Sequence, residues 1–144
     1  MLGVKYSGKV IYFFDKLSMK VRVEKNNMLY RLAGYVRTTA RRTIRERPGP
    51  STPGKPPHAH MREGLRNIQF VVNGDQAVIG PVKFPWSNWF NEPTPHIHEF
   101  GGTYFSRTAI ADYPQRPYMS VALQKLRDKG IIPRQISATI ATVR

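Results

Sequence analysis

From Met28 onward the chain places apolar side chains at Leu29, Leu32, Ala33, Val36, Ala40 and Ile44, in steps of 3, 1, 3, 4 and 4. Those steps keep one face of a 3.6-residue-per-turn helix apolar. Arg31, Arg37, Arg41, Arg42, Arg45 and Arg47 fall mostly off that face. Pro48-Gly49-Pro50 closes the segment, because a residue before proline is driven out of the helical region. The spacing predicts a helix over about 20–46. Residues 48–57 then hold five prolines and two glycines in ten positions, which excludes a helix or an inner strand and predicts an extended arm or loop over 48–64. An ordinary linker and a rigid arm reaching a neighbouring subunit both fit that composition.

Past Gly64, Ile68, Phe70 and Val72 alternate with Asn67, Gln69 and Val71, the pattern of a half-buried strand. Asn73-Gly74 is the pair that tolerates positive φ, and Gln76 to Val82 reads as the return strand. Residues 65–82 are therefore predicted as a β-hairpin whose pairing stops at Pro81. Residues 84–95 set Trp86, Trp89 and Phe90 among Pro85, Pro93 and Pro95 with no useful period, an aromatic loop that would form a contact surface if exposed. Pro117 suits the first position of a helix over 117–129, with Met119, Ala122, Leu123 and Leu126 on its apolar face. Lys125, Arg127 and Lys129 complement its dipole and Gly130 stops it. The tail alternates Ile136, Ala138 and Ile140 against Ser137, Thr139 and Ala141, which predicts a terminal strand over 135–143 joined to the hairpin's sheet. The order of elements gives a single α+β domain over 1–144: a small, mainly antiparallel sheet packed by one long N-terminal and one short C-terminal helix, with an extended Pro/Gly-rich arm.

Composition narrows the function classes. At 144 residues and 40% hydrophobic content the chain is long and apolar enough to bury a core. No apolar run approaches the roughly 18 to 20 residues of a membrane span. The run Val10 to Phe14 is too short for a signal-peptide core, so the N-terminus is expected to belong to the fold. Zero cysteines exclude a disulfide framework, a thiolate metal centre and a thiol nucleophile, and suit a reducing compartment. The net charge of +14 points to polyanionic partners. It is uneven: residues 1–66 carry 15 basic and 4 acidic side chains, residues 67–144 only 8 and 5.

The four histidines form two His-x-His pairs, His58-Ala59-His60 and His96-Ile97-His98, with Glu99 after the second. In extended chain, alternate imidazoles point the same way, so the pairs and the carboxylate offer a metal-dependent hydrolase as one reading. The first pair lies in the Pro-rich arm, a poor platform, and nine acidic residues leave little to orient the ligands; solvated or interface histidines are the plain alternative. No serine sits in a Gly-x-Ser-x-Gly elbow and no glycine-rich phosphate loop is present; Gly101-Gly102 reads as a turn. Arg37, Arg41, Arg42, Arg45 and Arg47 suit either phosphates in sequence-nonspecific nucleic-acid binding or an acidic protein surface. No base-reading module accompanies them.

Three groups of residues, in their order, carry a resemblance. They are Ala33-Gly34-Tyr35-Val36-Arg37 through Ala40-Arg41-Arg42-Thr43-Ile44-Arg45; the arm Arg47-Pro48-Gly49-Pro50-Ser51-Thr52-Pro53-Gly54-Lys55-Pro56-Pro57-His58; and Gly64-Leu65-Arg66-Asn67-Ile68. Together with Val78-Ile79-Gly80-Pro81, His98-Glu99-Phe100-Gly101-Gly102 and Arg116-Pro117-Tyr118-Met119, they resemble minor tail and neck proteins of tailed bacteriophages, the tail-completion or head-to-tail joining proteins. The likeness spans about residues 20–130, and His98 stands where that family tends to carry an aliphatic residue. The resemblance implies a non-enzymatic virion protein, assembled in the host cytoplasm, without cofactor or metal and without a membrane partner. It implies a homo-oligomeric ring of six or twelve copies between the portal or head connector and the tail terminator or tail tube. On this reading Pro48, Gly49, Pro50, Pro53, Gly54, Pro56, Pro57, Trp86, Trp89, Phe90, Glu99 and Phe100 make subunit or ring contacts. Arg37, Arg41, Arg42, Arg45 and Arg47 form an electrostatic docking face for an acidic connector or for packaged DNA.

Overall fold

A computed structural model of the chain describes residues 8–59, 64–82, 94–105 and 110–143. The first element is α1, Gly8–Thr43, twelve residues longer at its start than the apolar stripe predicts and three shorter at its end. The reason is burial. Among the described side chains of α1 the buried ones are Ala33, Val36 and Ala40 in its second half, whereas residues 18–23 are exposed on every side and so carry no stripe to read. The helix stops at Thr43, whose Oγ1 donates to the Ala40 carbonyl at 2.7 Å.

The Pro/Gly segment leaves α1 as β1, Arg45–Glu46, and returns as β2, His58–Ala59, paired in parallel with it. Between them the chain turns at 52–55, where the Lys55 amide donates to the Thr52 carbonyl at 3.1 Å, and Ser51 and Pro57 are buried. The predicted arm thus folds back on its own chain, with Pro53, Gly54 and Lys55 as its exposed apex.

The hairpin forms as predicted: β3, Ile68–Asn73, pairs antiparallel with β4, Gln76–Pro81, from Ile68↔Pro81 to Asn73↔Gln76. Its two-residue turn is Gly74-Asp75 rather than Asn73-Gly74. Gly74 takes positive φ and Asp75 does not, the arrangement of a turn with glycine at its first central position. α1 holds the hairpin by the Arg37 Nε donating to the Ile68 carbonyl at 2.7 Å, by Tyr30 edge-on to Phe70, and by an ion pair of Lys25 with Asp75 at the turn.

Trp86, Trp89 and Phe90 of the expected aromatic loop lie outside the described residues. The loop's last residues open α2, Thr94–Phe100, followed by a short antiparallel pair, β5 (Gly102–Phe105) and β6 (Ile110–Tyr113). Next comes α3, Met119–Asp128, which starts after Pro117 rather than at it, and ends at Lys129 and the positive-φ Gly130 as expected.

The tail is not a strand. It is α4, Ile131–Val143, packed on α1 and α3. Ile132, Ile136 and Ile140 recur every four residues as well as alternating, so both periods fit. Thr139 and Thr142 return their hydroxyls to the carbonyls of Gln135 and Ala138, four residues back. Pro133 sits in the first turn, where a missing N–H costs nothing. The fold is α+β, but among the described residues its strands form three separate two-stranded pairs instead of one sheet. Ala40, Ile44, Ala59, Leu65, Ile68, Tyr118 and Ala122 build the core, with Ile79 and Met119 packed against it. Each large side chain buried there contributes about 1.5–3 kcal/mol.

Candidate functional site

The segment from His98 to Gly101 joins most of these elements. Helix α3 begins at Tyr118, whose side chain makes no capping bond. Glu99, from the end of α2, supplies the acceptor instead. Its Oε2 accepts from the amides of Tyr118 and Met119, both at 3.0 Å, and its Oε1 from the amide of Ser120 at 2.7 Å. Three of the orphan donors of a helix start are met by one charged group at the positive end of the helix dipole. Burial alone would raise the Glu99 carboxyl; hydrogen bonds from the Ser120 side chain and from the Tyr118, Ser120 and Met119 amides outweigh it and hold the group below the usual carboxylate range. Burial, and then the Glu99 charge, push the neighbouring Tyr118 hydroxyl upward.

Arg116 ties the arm to the same place. This buried side chain donates from Nε to the Ser51 carbonyl at 3.0 Å and lies over the Tyr113 ring at 4.6 Å, and its amide donates to the His98 carbonyl at 2.6 Å. One residue earlier, the Gln115 carbonyl accepts from the Gly54 amide at 2.9 Å. Arm, α2, β6 and the start of α3 therefore meet at one junction.

His98 Nδ1 lies 3.1 Å from the Tyr113 hydroxyl. Burial first, and then the Arg116 charge, lower its pKa from 6.5 to about 4. The sign follows: between those values the unfolded chain binds a proton that the folded chain does not, so stability present above pH 6.5 declines as pH falls toward 4. Thermal midpoints measured from pH 7.5 to 4 are expected to drop through this window, and His98→Asn to flatten that part of the profile. An unchanged slope in the variant would remove His98 as the cause.

The second His-x-His pair is helical, not extended, so its two rings diverge: His96 is exposed beside Phe100, with ring centroids 4.8 Å apart, while His98 turns inward. His58 meets the Gly49 carbonyl at 3.2 Å, and His60 lies outside the described residues. Among the described residues no group of three His, Asp or Glu side chains is placed to hold a metal ion. Glu99, expected at a subunit contact, has its carboxylate engaged within the chain; Phe100 beside it is 68% exposed. Pro48, Gly49, Pro50 and Pro53 are exposed and Pro57 is buried against its own chain. Of the arginines expected to dock a partner, Arg37 holds the hairpin, whereas Arg41, Arg42, Arg45 and Arg47 are exposed and make no ion pair among the described residues.

Arg116, Tyr113 and the helix-capping role of Glu99 have no signature as a local pattern. The one usable signal is negative: a helix start at Tyr118 with no Ser, Thr, Asp or Asn to cap it requires an acceptor from elsewhere. No helix among the described residues is long and apolar enough to cross a membrane. In comparisons with known proteins, no family model, no curated protein and no solved structure matches this chain.

Proposed function

We propose that this chain is a non-enzymatic structural subunit of a tailed-phage head-to-tail interface, a neck or tail-completion protein that assembles as a ring between the portal or head connector and the tail. The observation that carries the reading is an unfinished β surface. A two-stranded ribbon is marginal alone. α1 covers one face of β3–β4, but on the other face Val71 and Val78, directly opposite each other across the strands, are 59% and 63% exposed. On β6, Ile110 is 71% exposed. Neither pair has a third strand among the described residues. Open strand edges beside outward apolar side chains are what a neighbouring subunit covers. The segments that carry the resemblance also meet one another: the end of α1, the arm at Ser51, the Glu99–Gly101 run and Arg116 to Tyr118 share the core and the junction.

Native mass spectrometry at moderate salt tests this reading. The expected result is a metal-free closed oligomer of defined copy number, shifted toward monomer by the double substitution Val71→Asp, Val78→Asp with the circular dichroism unchanged. A monomer carrying a stoichiometric metal ion would overturn the proposal, as would an oligomer indifferent to that double substitution.

A further inference from the structure

The solvent side of α1 carries a line of basic and polar side chains. Lys20, Arg31 and Arg42 recur every 11 residues, which is three turns plus about 20°, so they stand in one row about 16 Å apart. Asn27 and Thr38 fall in the same row, and Arg41 stands beside Arg42. All six are exposed, on the side opposite the buried Ala33, Val36 and Ala40. Past the helix end, Arg45 and Arg47 are also exposed. The acidic residues of α1 are Asp15 and Glu24; Glu24 lies near the row and is half-buried.

We propose that this ridge is a sequence-blind docking surface for the sugar-phosphate backbone of duplex DNA. Charge alone would suit any polyanion, and the character of the row decides. Between Lys20 and Arg42 it holds cations, an amide, a hydroxyl, the half-buried Glu24 and the half-exposed ring of Tyr35, and its one exposed aliphatic side chain is Val23, at the row's edge about five turns before Arg41. Protein–protein contacts have an apolar centre, whereas protein–DNA contacts are polar and strongly positive. One turn of duplex DNA is about 34 Å long and each of its two strands crosses a given side once in that length, so a row of cations about 16 Å apart over about 33 Å of helix spans successive phosphate strands. Asn27 and Thr38 add neutral donors of the kind that contact phosphate oxygens. This inference does not rest on the ring reading, since a monomer presents the same ridge.

The test is fluorescence anisotropy of the full chain with a labelled random-sequence duplex, titrated at several salt concentrations and expressed per chain. The logarithm of affinity should fall linearly with the logarithm of salt, and the triple substitution Arg31→Gln, Arg41→Gln, Arg42→Gln should make that slope shallower by about 3. Removing equal charge from exposed positions at the end of α3 and just past it, with Lys125→Gln, Arg127→Gln, Lys129→Gln, should leave the affinity within about threefold, and Arg→Lys at the three ridge positions should keep the slope. Equal losses from the two glutamine triples would overturn the assignment by reducing it to net charge. Displacement of the duplex by polyglutamate at equal charge concentration would overturn it in favour of an acidic protein partner.

Discussion

Glu99→Ala is expected to destabilise the protein by about 3 kcal/mol, lowering the thermal midpoint by on the order of 10 °C. The size follows from the number and kind of bonds lost. A neutral side-chain cap is worth about 1 kcal/mol. Here one carboxylate receives the amides of Tyr118, Met119 and Ser120, and hydrogen bonds to a charged group are stronger than neutral ones. Tyr118 is buried and offers no replacement acceptor, so its amide is left unpaired in a place water reaches poorly. Glu99→Gln keeps an acceptor oxygen and removes the charge, so it should cost roughly half as much. It also separates two explanations. Because the Glu99 pKa is lowered on folding, its contribution is complete above the ordinary carboxylate value and is lost as pH falls through the folded value. In Glu99→Gln that acid-side loss should vanish while the His98 decline at higher pH persists. A Glu99→Ala protein with an unaltered midpoint would show that α3 starts without this cap.

How much of this was readable beforehand depends on whether the deciding contact is local. The C-terminal half of α1 is legible because Ala33, Val36 and Ala40 are buried along one stripe; residues 18–23 of its N-terminal half are silent because all six are exposed. The hairpin is legible because alternation from Ile68 to Val72 and a glycine at the turn agree, and the one-residue error there concerns only which central residue takes positive φ. In the tail, Ile136 and Ile140 satisfy a strand period and a helix period alike, and what selects the helix is packing against α1, about a hundred residues earlier in the chain. The histidine pair is ambiguous in sequence for a related reason: whether His96 and His98 converge depends on whether residues 94–100 are extended or helical, and the prolines around them suggest the former. Glu99 lies 19 residues before the amide it caps, and Arg116 lies 65 residues after the carbonyl it holds. Both residues belong to the segments that carried the resemblance, yet neither role follows from its neighbours in sequence.

Gly101→Ala should be comparably damaging, at about 3 kcal/mol, and its neighbours make the reason specific. Gly101 ends α2 with φ of +74°, its amide donating to the Ile97 carbonyl at 2.8 Å. An added Cβ would stand 3.0 Å from the Tyr113 carbonyl oxygen and 3.1 Å from the Gln115 nitrogen. Both are backbone atoms, so a side-chain rotation cannot relieve the contact. Gly54 provides the control: its φ is +77°, but a Cβ there meets nothing within 4 Å. Gly54→Ala should therefore cost only the left-handed conformation, about 1 kcal/mol. The larger loss at Gly101 is expected to spread, because moving Gln115 also moves the carbonyl that accepts from Gly54 and the Arg116 side chain that accompanies it. Combined with Glu99→Ala, the substitution should be less than additive, since the end of α2 carries both the cap and the tight contact, and releasing either loosens the other. Strict additivity in chemical denaturation of the four proteins of that cycle would mean that the two act separately. The junction would then be two neighbouring contacts instead of one joint between the arm and α3.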